Sequence, residues 1–403
     1  MRGMAARMAH GAWRLLPMDF RRETMAGVAA RLVRKPDAVP PETSRGVIVA
    51  GDVAGPNGLA ETARMIFSSA ERHGFSRGFV PLGLPSVVPA PAAAEILPRD
   101  AALVAVVNAP ILPVGLLRYP KGFLAGRRVI GVWAWELPVV PSTWRFGAKF
   151  AHEIWAPSQF TADALEGLAP GRIRVVPYPL AAADLAVAGD RASFGLPENK
   201  VLVLTVFNLS SSMERKNPLG SIAAFRAAFG ERADVLFVLK LSGVEDYPAD
   251  LAVIRAAAMG AVNIVVMTET LPEPRLRGLI GACDILLSLH RSEGFGLMPA
   301  SAMLLGRPVI ATAWSGNLDF MTAENAALVS CKLVPVRDPR GTYQLPGALW
   351  AEPDREESVA WLRLLVDDAG LRASMGAAGQ NFAREKLGET ALLAAFSANG
   401  ILR

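Results

Sequence analysis

The sequence predicts an α/β chain of two doubly wound, Rossmann-like parallel sheets facing each other across a cleft. Three observations carry this. From Gly46 onward, short runs rich in Val, Ile and Leu alternate with longer segments whose apolar residues recur at three and four positions. The rhythm breaks over residues 181–200, where Gly189, Gly195 and Pro197 read as a linker, and then resumes as a second series. A length of 403 residues, 52% hydrophobic and 20% charged, suits two or three domains with their own cores and excludes a disordered chain.

Taken in order, residues 1–40 form a basic arm, 41–188 a first Rossmann-like domain, 189–380 a second, and 381–403 a C-terminal helix that packs back on the first. Strands are expected at residues 46–50, 102–107, 129–133, 153–156 and 173–177 in the first domain, and at 201–207, 234–241, 263–267, 284–289 and 308–312 in the second. Residues 355–400 read as mostly helical. Two α/β halves of similar size make the cleft between them the expected ligand site.

Charge is placed unevenly. Residues 1–35 hold eight basic and two acidic side chains, leaving 34 basic against 35 acidic of the total 42 and 37. The body is therefore neutral and offers no nucleic-acid footprint. Trp13, Leu15, Leu16 and Phe20 among the arginines of the arm suit an interfacial helix, which suggests contact with a membrane surface through residues 1–35. The apolar run 101–117 is interrupted by Asn108, Pro110 and Pro113 and does not span a bilayer, and no apolar stretch with a cleavage site marks a secretory leader. Two cysteines, Cys283 and Cys331, make neither a disulfide framework nor a zinc site and fit a reducing compartment.

Four stretches are candidates for chemistry. In LSLHRSEGFGLMPASAMLLGRPVIAT, from Leu287, a buried strand ends at Leu289, a glycine-flanked turn follows, and a helix opens near Met298 with Pro299 in its first turn. The amides of residues 294–297 then leave a strand's carboxyl end beside a positive helix terminus, which suits a phosphate, while Gly294 and Gly296 let a ligand approach the backbone. Glu293 stands where a carboxylate can accept hydroxyl hydrogen bonds. The same residues also fit an ordinary strand-to-helix turn with a surface glutamate.

In FNLSSSMERKNPLGSIAAF a strand ends at Phe207, a polar loop follows, and Asn217-Pro218 starts a helix. Arg215 and Lys216 are ill placed before a positive helix terminus unless an anion such as a diphosphate lies between; two solvated cations are the plain alternative. The loop from Gly51 through Gly55 to Gly58 lacks the Gly-x-Gly-x-x-Gly spacing of a nicotinamide site. GVWAWELP sets Trp133, Trp135 and Glu136 at a strand exit, where a tryptophan stacks on a sugar or fills the core and Glu136 orients a hydroxyl. His10, His73, His152 and His290 have no metal-ligand spacing, no Asp-x-Asp pair occurs, and no Gly-x-Ser-x-Gly supports a hydrolase. No metal or cofactor is expected.

Together these residues resemble the group 1, or family 4, glycosyltransferases of the GT-B fold over residues 47–380. SEGFGLMPASAMLLGRPVIAT is similar to the family's glutamate-x7-glutamate region and SMERKNP to its basic diphosphate loop. GVWAWELPVVPSTW and IWAPSQFTADAL are similar to a bacterial exopolysaccharide and lipopolysaccharide subgroup. The resemblance implies a cytoplasmic, metal-independent hexosyltransferase, peripheral on the inner face of the membrane, that moves a sugar with retention from a nucleotide sugar to a glycan or lipid-linked acceptor. It assigns catalysis to Glu293 and Lys216, and donor binding to Arg215, Ser301 and the amides of Gly294, Phe295, Gly296 and Leu297. It places the acceptor near Gly55, Gly58, Trp135 and Glu136. One departure stands out: the family's second glutamate, which grips the nucleotide ribose, falls at Ser301. The family's first-domain histidine is also not evident, and Glu136 stands in for it. A nucleotide-sugar-binding paralogue without catalysis is the competing expectation.

Overall fold

The computed structural model describes residues 18–55, 57–84, 87–88, 97–182 and 189–402. Residues 1–17 of the basic arm, Pro56 of the first glycine loop and residues 183–188 of the linker lie outside them. After α1 (Met18–Leu32), the first half builds a parallel sheet from β1 (Val47–Gly51), β2 (Ser76–Pro81), β3 (Ala102–Val106), β4 (Val129–Val132), β5 (Glu153–Ala156) and β6 (Ile173–Val175). Their spatial order is β2-β1-β3-β4-β5-β6. The connecting helices are α2 (Gly58–Arg72), α3 (Ile111–Leu116), α4 (Trp144–Gly147) and α5 (Gln159–Glu166).

The second half repeats the plan. Strands β7 (Val201–Asn208), β8 (Val235–Ser242), β9 (Ile264–Met267), β10 (Ile285–Ser288), β11 (Val309–Thr312) and β12 (Ala327–Val329) form a parallel sheet in the order β12-β11-β10-β7-β8-β9. Between them run α6 (Met213–Lys216), α7 (Pro218–Phe229), α8 (Pro248–Ala258), α9 (Glu273–Ala282) and α10 (Leu297–Leu304). An antiparallel hairpin, β13 (Cys331–Pro335) and β14 (Leu349–Pro353), follows, and the chain ends with α11 (Arg355–Asp367), α12 (Ala369–Lys386) and α13 (Thr390–Ala398).

Every residue of β1 and β3 is buried, because a parallel strand covered by helices on both faces needs apolar side chains on both. That is why these strands read as unbroken apolar runs. In the first half, α1 and α3 cover Ile48, Ala50 and Leu103, while α2 covers Val47, Val49 and Val104. In the second, Phe225 of α7 and Leu362 of α11 pack on Val203 and Phe237, and Met303 of α10 packs on Leu204 and Leu286 on the opposite face. The last helix crosses back to the first sheet. Leu392 and Phe396 of α13 join the Val47 and Val104 cluster, the Phe396 and Trp155 rings lie 5.7 Å apart, and Asn399 donates to Glu153 at 3.0 Å.

The structure departs from the sequence reading in six places. β2, β12 and the β13–β14 hairpin have no counterpart among the strands expected from the sequence. β2 carries Gly78 and Pro81 and lies half-buried at a sheet edge, so it lacks the apolar run of a central strand. Strand β4 stops at Val132, which leaves Trp133 at the head of a loop. Residues 213–216, expected as loop, form the single helical turn α6, and α10 opens at Leu297, one residue before Met298. No described helix is long and apolar enough to cross a membrane.

Candidate functional site

Strands β7 and β10 are hydrogen-bonded neighbours, so the loops that leave their carboxyl ends meet. After β7 the chain makes the turn α6, bracketed by Ser212 at φ 71° and Asn217 at φ 52°. Both are left-handed conformations that cost a non-glycine residue roughly 1–3 kcal/mol. Local hydrogen bonds hold them. Ser212 Oγ accepts from the Arg215 amide at 3.3 Å. Asn217 Oδ1 accepts from Gly220 N at 3.2 Å to cap α7, and Asn217 Nδ2 donates to Leu289 O at 2.9 Å. The third non-glycine residue with positive φ among the described residues, Ser315 at 81°, accepts from the Glu293 amide at 2.8 Å. All three thus flank one place, where the backbone is held to aim Arg215, Lys216 and Glu293.

Those three side chains converge. Lys216 Nζ donates to Glu293 Oε1. Arg215 donates to Glu293 Oε2 at 3.2 Å and to Ser292 O at 2.7 Å, and lies 3.7 Å from Glu136 Oε1 of the first half. Tyr343, from the loop between β13 and β14, donates its hydroxyl to Glu136 Oε2 at 3.1 Å, and Arg215 lies 5.4 Å from its ring centre. Two cations and two carboxylates are balanced here, with Arg215 3% and Glu293 7% exposed. Charges so buried must be paired, because each alone would forfeit hydration worth several kcal/mol.

The pairing decides ionisation. Burial alone would raise the Glu293 carboxyl, but Lys216 and Arg215 outweigh it and hold the group down at about 2. Burial pushes the Tyr343 phenol well above its ordinary range, so it is a neutral donor. It likewise lowers His290, which lies 3.0 Å from Ser288 Oγ and 3.1 Å from Asn317 Oδ1 as a neutral ring in the core.

The cluster opens on a small cavity lined by Thr205, Phe207, Lys216, Ser288, Glu293 and Met298 at the strands' carboxyl ends. Beside it Gly296, at φ 99°, turns the chain into α10, whose first-turn amides have no partners within the helix and form its positive end. Lys216 and Glu293 at the cavity, with Arg215 paired to Glu293 and the helix terminus beside them, form a site that can receive an anion together with hydroxyl groups. A larger, shallow depression lined by Pro248, Leu251, Arg255 and Met259 lies on the outer side of α8 and offers no such convergence.

The structure thus brings together Glu293, the adjacent Arg215 and Lys216, and Glu136 from three separate motifs. Gly294 lies on the seam between the halves: its carbonyl accepts from Ser158 Oγ at 2.6 Å, and a Cβ there would be 3.0 Å from Trp135 O. The Phe295 side chain is core, packed on Tyr178 and Phe320 at 4.8 and 5.1 Å, so only its backbone faces the site. Gly58 faces Leu297 across the cleft, where a Cβ would come within 3.1 Å of the leucine side chain. Gly55 belongs to a turn that Asp52 closes by accepting from the Ala54 and Gly55 amides at 2.9 and 3.0 Å. Ser301 spends its proton on Leu297 O at 2.8 Å within α10.

Trp135 is a correction. The resemblance places it near an acceptor, whereas its ring is buried between Trp144 and Tyr343 at 5.3 and 5.4 Å and its Nε1 donates to Val139 O at 2.8 Å. No face is left for a sugar. The sequence reading also missed Tyr343 and Ser315. Tyr343 reaches the site on a hairpin 50 residues downstream of Glu293, and no local pattern signals it.

Against known proteins, residues 201–344 match the family model described as glycosyl transferases group 1. The chain is 30% identical over 205 residues to a D-inositol 3-phosphate glycosyltransferase of Catenulispora acidiphila, covering 48% of this chain and 46% of that one. A D-inositol 3-phosphate glycosyltransferase of Acidothermus cellulolyticus is 29% identical over 198 residues, covering 47% and 42%. The chain therefore spans less than half the length of these curated relatives. Among solved structures, HepE of Anabaena in complex with UDP and glucose superposes with a TM-score of 0.60 at 16% identity, over 88% of this chain and 99% of that one. WaaG, a glycosyltransferase involved in lipopolysaccharide biosynthesis, gives 0.57 at 16% identity over 87% and 99%. At such identities the likeness is one of fold. Residues 201–344 form a group 1 glycosyltransferase domain, set in a chain with the two-sheet GT-B fold.

Proposed function

We propose that this protein is a retaining, metal-independent glycosyltransferase that moves a hexose from a nucleotide sugar to a hydroxyl of a glycan or lipid-linked acceptor in bacterial surface polysaccharide synthesis. The observation that carries the reading is the buried Glu293, Lys216 and Arg215 cluster at the carboxyl ends of β7 and β10, beside the N-terminus of α10. The curated relatives, named as glycosyltransferases, and the UDP complex of HepE support it.

In this mechanism the donor diphosphate takes Lys216, Arg215 and the α10 amides as partners. That exchange releases the Glu293 carboxylate, which is ionised, to accept hydrogen bonds from the donor sugar. The two cations and the helix terminus stabilise the leaving nucleoside diphosphate as the sugar bond breaks. The acceptor hydroxyl attacks from the same face and passes its proton to a phosphate oxygen. Cleft closure against the Gly58 loop excludes water.

A thermal-shift screen against UDP, GDP, ADP, TDP and their sugar conjugates, with chelator present, tests the reading. One nucleotide family should stabilise the protein and then support sugar transfer. Stabilisation without any turnover would instead favour a binding protein that lost catalysis with the glutamate replaced by Ser301, and stabilisation by none would overturn both. Lys216→Ala should lower turnover by about 10²–10³-fold, the usual effect of losing one preorganised charge donor, and so cut turnover far more than it alters folding. Unchanged turnover would remove Lys216 from the mechanism.

A further inference from the structure

Helix α1 wears its side chains the wrong way round for a surface helix. Towards the protein it presents Ala26, Ala29 and Ala30, all buried, together with Gly27, where a Cβ would lie 3.2 Å from the Phe146 ring. Towards solvent it presents Phe20, Met25, Val28 and Leu32, which are 54, 47, 46 and 63% exposed. A helix that only covers a core buries its large apolar residues and exposes polar ones. At 100° per residue, Met25, Val28 and Leu32 make one continuous strip. Exposed Arg22 borders it on one side and exposed Arg31 on the other, with exposed Arg34 and Lys35 just past the helix end. Within residues 20–35 the single acid, Glu23, is turned to Arg145 at 2.5 Å.

We propose that the outer face of α1 docks on an anionic lipid surface. The Met25, Val28 and Leu32 strip enters the boundary between headgroups and acyl chains, and the arginines and Lys35 around it meet lipid phosphates. Charge selects this occupant over a second copy of the chain: pairing two such faces would bring cationic borders together, with Glu23, already turned to Arg145, as the single acid within residues 20–35 to offset them. The small inward residues seat α1 closely on α3 and α4, the helices that follow β3 and β4, so docking fixes the first sheet to the surface as a rigid body. The inference stands apart from the transferase reading and does not need it.

Flotation of the full chain with vesicles of phosphatidylcholine alone, or mixed with phosphatidylglycerol, tests it. Binding is expected only with phosphatidylglycerol and should weaken as salt is raised. The triple variant Met25→Glu, Val28→Glu and Leu32→Glu should lose at least ~10-fold in partitioning, since three apolar side chains no longer enter the bilayer. Circular dichroism and thermal unfolding would show that it remains folded. Should it not, the charge reversals Arg31→Glu and Lys35→Glu, at exposed positions, serve in its place with the same expected loss. Failure of the wild-type protein to float, or flotation that the variants retain, overturns the proposal. A concentration-dependent dimer in light scattering that the triple variant abolishes would assign the face to a second copy and overturn it too.

Discussion

Glu293 shows how a single residue's state is set by its neighbours. Its carboxyl is held at about 2 against an ordinary 4.5, so the folded form binds the proton less tightly than the unfolded one. The stabilisation from its ionisation is complete above pH ~4.5 and is lost as pH falls towards 2, through protonation of the native pair. Glu293→Gln should therefore be less stable than the parent at neutral pH, because Lys216 and Arg215 lose their partner, and the deficit should shrink through that window. Urea denaturation across pH measures it; a deficit independent of pH would contradict the pairing. Ser301 makes the opposite case, a position whose polar group is weak and already committed to Leu297 O. Ser301→Glu should tighten nucleoside diphosphate binding about tenfold or more, the value of one hydrogen bond to a charged group, as titration calorimetry with the nucleotide chosen by the screen would report. Both residues stand in a motif that could be read along the chain. The pairing of Glu293 could not, because Lys216 lies 77 positions away on another strand's exit.

Among the elements, the β13–β14 hairpin contributes most that the sequence concealed. It leaves the second half and lays Tyr343 and Trp350 into one apolar cluster with Trp135, Leu137 and Trp144 of the first. Its strands lack the unbroken Val and Ile runs that marked the central strands, since one face of a two-stranded ribbon remains in solvent. Tyr343 serves twice there, as a floor for Arg215 and as a donor to Glu136. Tyr343→Phe keeps the ring and should cost about 1 kcal/mol, one net hydrogen bond. Tyr343→Ala also opens a cavity and should cost about 3–5 kcal/mol. Chemical denaturation of the two variants distinguishes these roles; equal costs would mean that the ring adds nothing. The turn α6 escaped sequence reading for another reason. Its bounds are set by positive φ at Ser212 and Asn217, an uncommon conformation for serine that no local pattern signals and one that asparagine tolerates better.

At the scale of the whole molecule, the chain is tied end to beginning. Helix α13 leaves the second half and buries Leu392, Ala395 and Phe396 against the first sheet, so the two halves share a core segment as well as a cleft. Phe396→Ala should cost about 3–5 kcal/mol and separate the unfolding of the first half from that of the second, seen as two denaturation transitions in place of one. A single unshifted transition would show that α13 is not part of the first half's core. Across this molecule, the sequence by itself determined both sheets, the middle strands and the phosphate-suited turn into α10. Those features rest on local signals: apolar runs that need burial on both faces, glycines where the backbone must turn, and Asn-Pro at a helix start. Only the tertiary structure decided that Trp135 belongs to the core, that Tyr343 reaches the ion cluster, and that Glu136 meets Arg215 across the two halves. Each of these depends on which distant segments the packing of two sheets brings within a few ångström, and no spacing along the chain encodes that distance.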